Sequence, residues 1–151
     1  MNARDNDGWT ALAYASSFGN SSIVPVMNTL IDNGAYINSQ DNEGNTPLMY
    51  SLEYRSIGGD MTVFLLLLEK GADINLKTHH GTTLLMIASR AGLTGLVNIL
   101  IDKGADVNAK DDNGNTALIM AAANNKPDVL KALRKHGASR LGCMYYICST
   151  V

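Results

Sequence analysis

The sequence predicts an all-α repeat solenoid, four stacked helix-turn-helix units joined by turn and hairpin loops, and three observations predict it. The stretch Gly104 to Leu118 (Gly-Ala-Asp-Val-Asn-Ala-Lys-Asp-Asp-Asn-Gly-Asn-Thr-Ala-Leu) returns in recognisable form from Gly34 and from Gly71, and the chain opens inside a further copy at Asn2 to Leu12. The turn glycines Gly8, Gly44, Gly81 and Gly114 stand 36, 37 and 33 residues apart. A second set, Gly34, Gly71, Gly104 and Gly137, stands 37, 33 and 33 apart. A fixed period near 33 marks an array whose units bury their apolar faces against neighbours, with no single central core.

In order, the first unit (about 2–37) turns at Asn6-Asp7-Gly8 and starts its first helix at Thr10, whose hydroxyl is placed to accept from exposed backbone amides. Leu12, Ala15 and Ser16 form that helix's packing stripe. The second helix ends at Asn33, before Gly34 in a left-handed C′ position. Three extra residues fall at Ser21-Ser22-Ile23, ahead of Pro25 near the start of that helix. The second unit (38–74) repeats the start with Thr46-Pro47, where proline's missing N–H costs nothing. About four extra residues lie in Tyr54-Arg55-Ser56-Ile57-Gly58. Its second helix, Met61 to Leu68, is apolar on every side and is expected to be covered all round.

The third unit (75–107) is regular, with Leu96, Val97, Leu100 and Ile101 as its second stripe. The fourth (108–139) has a more polar second helix, with Arg134 and Lys135, as suits the last member of a stack. Small residues at Ala15, Ser51, Ala88 and Ala121 should let neighbouring helices approach closely. The tail 140–151 breaks the pattern. Its apolar residues are expected to pack on the last unit, with disorder or contact with another molecule as the alternatives.

The helix starts Thr10-Ala-Leu-Ala-Tyr-Ala15, Thr46-Pro-Leu-Met-Tyr-Ser51, Thr83-Leu-Leu-Met-Ile-Ala88 and Thr116-Ala-Leu-Ile-Met-Ala121 resemble the Thr-Pro-Leu-His-x-Ala signature of ankyrin repeats. The resemblance covers nearly the whole chain as four repeats, 1–139. One departure is systematic, because the family's histidine is replaced by Ala13, Met49, Met86 and Ile119. In the family that histidine ties neighbouring repeats through polar contacts, so apolar packing is expected to substitute here.

Net charge is −2 with a pI near 5.8 and no long run of one sign, so neither a nucleic-acid backbone nor an anionic membrane is an expected partner. Cys143 and Cys148 match no metal spacing or disulfide framework and read as reduced thiols. No signal-peptide core occurs near Met1 and no apolar run approaches a membrane span, which favours a cytoplasmic protein, or an effector secreted without a classical signal. Phosphate-binding loops, dinucleotide fingerprints, nucleophile elbows and zinc-protease helices are all missing, so no cofactor and no enzymatic activity is expected. The pair His79-His80 lacks a third ligand for a metal.

The resemblance implies a protein partner bound on the concave face of the stack. Carried over repeat by repeat, it assigns partner-binding positions to Arg4, Asp7, Trp9 and Phe18, then Gln40, Asn45, Glu53 and Tyr54. It adds Lys77, His79, His80 and Arg90 from the third repeat and Lys110, Asp112, Asn115 and Asn124 from the fourth. Aromatic and arginine anchors should carry most of the energy, which singles out Trp9, Phe18, Tyr54 and Arg90. The competing structural roles are that Trp9 covers the end of the stack and that Phe18 packs beneath the enlarged first loop. A second class of reading is a self-associating homo-oligomer, through the first repeat or the tail, or a regulatory fragment of a longer protein. A third makes Ser149-Thr150-Val151 a ligand of the kind PDZ domains bind by strand addition.

Overall fold

The computed structural model describes residues 2–53 and 60–138. Among them are eight α-helices and no β-strand: α1 Ala11–Ser17, α2 Val24–Asp32, α3 Pro47–Glu53, α4 Thr62–Glu69, α5 Leu84–Ala91, α6 Thr94–Asp102, α7 Ala117–Ala123 and α8 Pro127–Lys135. They fall in two compact units, Met1–His79 with α1 to α4 and His80–Val151 with α5 to α8. The insertion at 54–58 and the tail 140–151, with Cys143, Cys148 and the Ser149-Thr150-Val151 ending, lie outside the described residues.

Most of the helices have a start written locally in the sequence. The hydroxyl oxygens of Thr10, Thr46, Thr83 and Thr116 accept from the amides three residues on, at 3.2–3.3 Å. These threonines are buried, so the same bond satisfies a polar side chain inside the protein and one of the free amides of the first turn. Pro25 and Pro127 occupy the first turns of α2 and α8, where they need no partner for a missing N–H. At the end of α2, Gly34 takes φ +87°, which lets its N–H reach Ile31 O at 2.9 Å and the Ala35 N–H reach Leu30 O at 2.9 Å. The three residues inserted in the first repeat form a 3₁₀ turn, Ser21–Ile23, closed by Asn20 Oδ1 accepting from Ser22 N at 3.0 Å.

In the first unit α1 packs on α3, each carries its second helix, and α2 meets α4. Ala15 and Ser51 are buried in the α1 and α3 helices, as their size predicted. Leu12, Met27, Leu48, Phe64 and Leu67 are fully enclosed, each worth roughly 1.5–3 kcal/mol of burial. The second unit repeats the plan: α5 packs on α7 and α6 on α8, Ala88 and Ala121 are wholly buried, and Leu84, Leu100, Leu118 and Leu133 fill the interior.

One expectation is corrected. Helix α4 is not covered all round: Val63, Phe64 and Leu67 face inward, but Leu65, off that face, is 49% exposed. At the positions of the family's histidine the apolar side chains are buried or half-buried. Ala13, Met49 and Met86 are buried, but the Met86 sulfur also accepts from Thr83 N at 3.5 Å, closing a reciprocal cap with a thioether as acceptor. In α8, Val129, Leu130 and Leu133 face inward while Lys131 and Lys135 are exposed, the polar outer face the sequence implied.

Candidate interaction surface

The turns that precede α1, α3 and α7 are built around carboxylates, where the turn before α5 has Thr78. Asp5 Oδ1 accepts from the amides of Asp7 (3.0 Å) and Trp9 (2.8 Å), and Asp41 Oδ1 from those of Glu43 (2.9 Å) and Asn45 (2.7 Å). Asp111 Oδ1 does the same with Asn113 (2.9 Å) and Asn115 (2.8 Å). The second oxygen is used differently in each repeat. Asp5 Oδ2 accepts from the Tyr14 hydroxyl at 2.5 Å, Asp41 Oδ2 from the Tyr50 hydroxyl and from Asn45 Nδ2 (3.2 Å), and Asp111 Oδ2 from Asn115 Nδ2 at 2.9 Å. In the first two repeats one aspartate therefore ties its own turn to its own helix.

These bonds keep the carboxylates ionised. The Tyr14 hydrogen bond, then the Trp9 amide, hold Asp5 below the usual carboxylate range, and the same bond pushes the Tyr14 phenol up. At Asp41 burial pulls upward, but donation from Tyr50 and Asn45 outweighs it and the pKa falls. Asp111 follows the same balance, with Asn115 opposing desolvation.

The two tyrosines bracket an indole. Trp9 lies with its ring centroid 3.9 Å from Tyr50 and 4.8 Å from Tyr14, tilted by 36° and 45°. Tyr50 is buried, Trp9 is half-buried, and Tyr14 is 49% exposed. Four residues further along α1, on the same side of the helix, Phe18 is 54% exposed. Its expected alternative, packing beneath the first loop, is overturned. Tyr14 and Tyr50 were not among the expected surface residues, though a signal existed. Asp5–Tyr14 and Asp41–Tyr50 share a spacing of nine, where the later repeats have Ile87 and Met120.

Several expected surface residues hold the frame. Arg4 Nε donates to Gly8 O (3.1 Å) and its Nη2 to Gln40 O (2.6 Å). One repeat later Gln40 Nε2 does the equivalent, donating to Gly44 O (2.8 Å) and Lys77 O (2.9 Å). Asn45 and Asn115 are engaged by their turn aspartates, and Asn124 Nδ2 donates to Met120 O at 2.9 Å beyond the end of α7. Asp7, Lys77, His79, His80, Arg90, Lys110 and Asp112 are exposed. The main chain of His79 donates to Glu43 O at 2.8 Å and that of His80 accepts from Asp112 N at 3.0 Å. The Glu53 side chain and Tyr54 lie outside the described residues.

Near-neutrality of the whole sequence conceals a division of charge. Residues 1–79 carry four cationic side chains against nine carboxylates, and residues 80–151 carry eight against five. Among the described residues no group of side chains is arranged to hold a metal ion. A concavity of about 100 Å³ in the second unit, lined by Gly92, Thr94, Asn125 and Lys126 among others, is well below the roughly 300–1,000 Å³ of small-molecule sites.

The sequence matches the family described as ankyrin repeats (3 copies) over residues 1–78 and 55–140. The chain belongs to the ankyrin repeat family. It is 39% identical over 140 residues to the neurogenic locus notch homolog protein 1 of Mus musculus, covering 92% of this chain and 5% of that protein. It is 47% identical over 55 residues to the putative ankyrin repeat protein FPV233 of Fowlpox virus (strain NVSL), covering 36% of this chain and 10% of that protein. BCL-6 corepressor-like protein 1 of Homo sapiens is 35% identical over 89 residues, 59% of this chain and 5% of that protein. The chain thus spans a tenth or less of the length of these relatives. Ankyrin repeats are in general protein–protein interaction modules and are typically not enzymes. Among the described residues of this ankyrin chain, no helix is long and apolar enough to cross a membrane.

Proposed function

We propose that this ankyrin chain is a non-enzymatic binding module that engages a protein through the turn tips and first helices of its repeats. Its energetic anchor is the Trp9, Tyr14 and Phe18 surface of the first unit. The observation that carries this reading is the pair of large rings left half in solvent on α1 and its C-cap, beside an indole packed against Tyr14 and Tyr50. Rigid aromatic side chains bury large area on binding at small entropic cost, which is why they dominate binding energy at protein interfaces. Exposed Arg90 offers a second anchor in the other unit.

The test is capture from a native lysate with the intact chain, with a Tyr14→Ala/Phe18→Ala variant, and with Arg90→Ala, each first shown folded by circular dichroism. Proteins retained by the intact chain and lost from the aromatic variant support the anchor. Capture that is the same with all three chains overturns it.

A further inference from the structure

We infer that the exposed aromatic surface of α1 seats an arginine-bearing segment of the partner, a specification that rests on the binding face proposed above. Three observations converge on that chemistry. The rings of Tyr14 and Phe18 are open to solvent one helical turn apart, with Trp9 tilted against Tyr14. Faces of such rings are electron-rich and attract cations. At Tyr14 stand the carboxylates of Asp5, bonded to its hydroxyl, and of exposed Asp7, close enough for its charge to act on that hydroxyl.

Among the described residues neither carboxylate has an ion-pair partner. Arg4, the cation of the first repeat, spends its guanidinium on the carbonyls of Gly8 and Gln40. The ion pair found among the described residues, Lys70 with Asp32 at 3.5 Å, lies elsewhere in the unit. The unit as a whole holds nine carboxylates against four cations, so a basic segment is drawn to it and an acidic one repelled.

The same arrangement selects among partners. A purely apolar segment laid on Tyr14 and Phe18 would strip water from Asp5 and Asp7 and return nothing to them. A lysine ammonium returns charge, but as a compact and strongly hydrated group. A guanidinium is planar and weakly hydrated, so it can lie on a ring while its edge donates to a carboxylate beside that ring. Asp5 retains acceptor capacity for this, since its two oxygens together offer about four lone-pair sites and receive two amides and one phenol.

The experiment uses the full chain and a capped decapeptide of glycine and serine carrying two adjacent arginines, with lysine and citrulline versions as comparisons. Trp9 is the single tryptophan of the sequence, so its fluorescence reports on the site directly. We expect a saturable change with the arginine peptide, about threefold or more tighter than lysine, and no saturation with citrulline. Phe18→Leu and Asp7→Asn should each weaken the arginine peptide by about two- to fivefold, the first without changing any charge. Equal affinity for lysine, or indifference to Phe18→Leu, would mean bulk attraction alone and overturn the inference. Sedimentation showing self-association abolished by Arg90→Ala would support the arginine seat and assign its occupant to a second copy of the chain. If the arginine peptide fails while lysate capture still depends on Tyr14 and Phe18, only the arginine assignment falls. If capture is also indifferent to them, the binding face itself is refuted.

Discussion

Gly44→Ala and Gly114→Ala are the same chemical change at matching positions of two repeats, and the structure predicts different costs. Both glycines sit at positive φ, +84° and +77°, so either alanine pays about 1–2 kcal/mol for a left-handed backbone. At Gly114 an added Cβ would meet none of the described residues within 4 Å. At Gly44 it would fall 2.5 Å from His79 N and 2.9 Å from the Thr78 carbonyl carbon, both main-chain atoms of the next turn. Those atoms cannot rotate aside, and moving them opens the 2.8 Å bond from His79 N to Glu43 O. Overpacking of this kind adds about 1–3 kcal/mol, which brings Gly44→Ala to roughly 2–5 kcal/mol. At about 2–4 °C per kcal/mol for a chain of this size, thermal unfolding followed by circular dichroism should fall by about 10 °C for Gly44→Ala and by about half that or less for Gly114→Ala. Equal shifts would refute the claim that turn-to-turn contact, and not φ alone, selects glycine at position 44.

Tyr50→Phe keeps the ring beneath Trp9 but removes a donor from Asp41, and should cost about 1–2 kcal/mol in urea denaturation. Because the folded-state pKa of Asp41 is depressed, its stabilising contribution is full above the ordinary carboxylate value of about 4 and is lost as pH falls through the depressed one. Urea midpoints measured at pH 6 and pH 3 should therefore fall further for the intact chain than for Asp41→Asn. On α4, Leu65→Gln should change stability by about 0.5 kcal/mol or less, while Leu67→Ala should cost about 2–5 kcal/mol. Comparable losses would mean that Leu65 is covered.

The scaffold was legible in the sequence because its signals are local and repeated. Each threonine cap and helix-ending glycine acts within four residues of itself, so a single strand of text contains both partners. The small residues of the α1–α3 and α5–α7 seams recur at one position of the period and were readable for the same reason. The candidate surface was harder. Arg4 and Gln40 look like free surface residues until their carbonyl partners in the next repeat are seen, 36 and 37 residues away. Tyr50 stands where the family signature leaves its position unspecified, so nothing marked it as the floor beneath Trp9. Leu65 misled in the opposite direction, since hydropathy reports what a residue prefers and not whether a neighbour is there to cover it. The uneven charge was present in the composition but cancelled in the total.

The rungs between successive turns, Asn42 N to Asp7 O and His79 N to Glu43 O in the first unit and Asp112 N to His80 O in the second, are made by main chain alone. Every amino acid except proline can supply such an amide, and any can supply the carbonyl. These rungs are thus indifferent to the side chains of Asp7, Glu43 and Asp112, while Arg4, Gln40 and Asn42 add side-chain bonds from one turn to its neighbour. Asp7, Glu43 and Asp112 can be exchanged for other chemistries without re-spacing the array. Selection can rewrite what such a protein recognises one tip at a time, while the ruler on which the tips are mounted stays the same length.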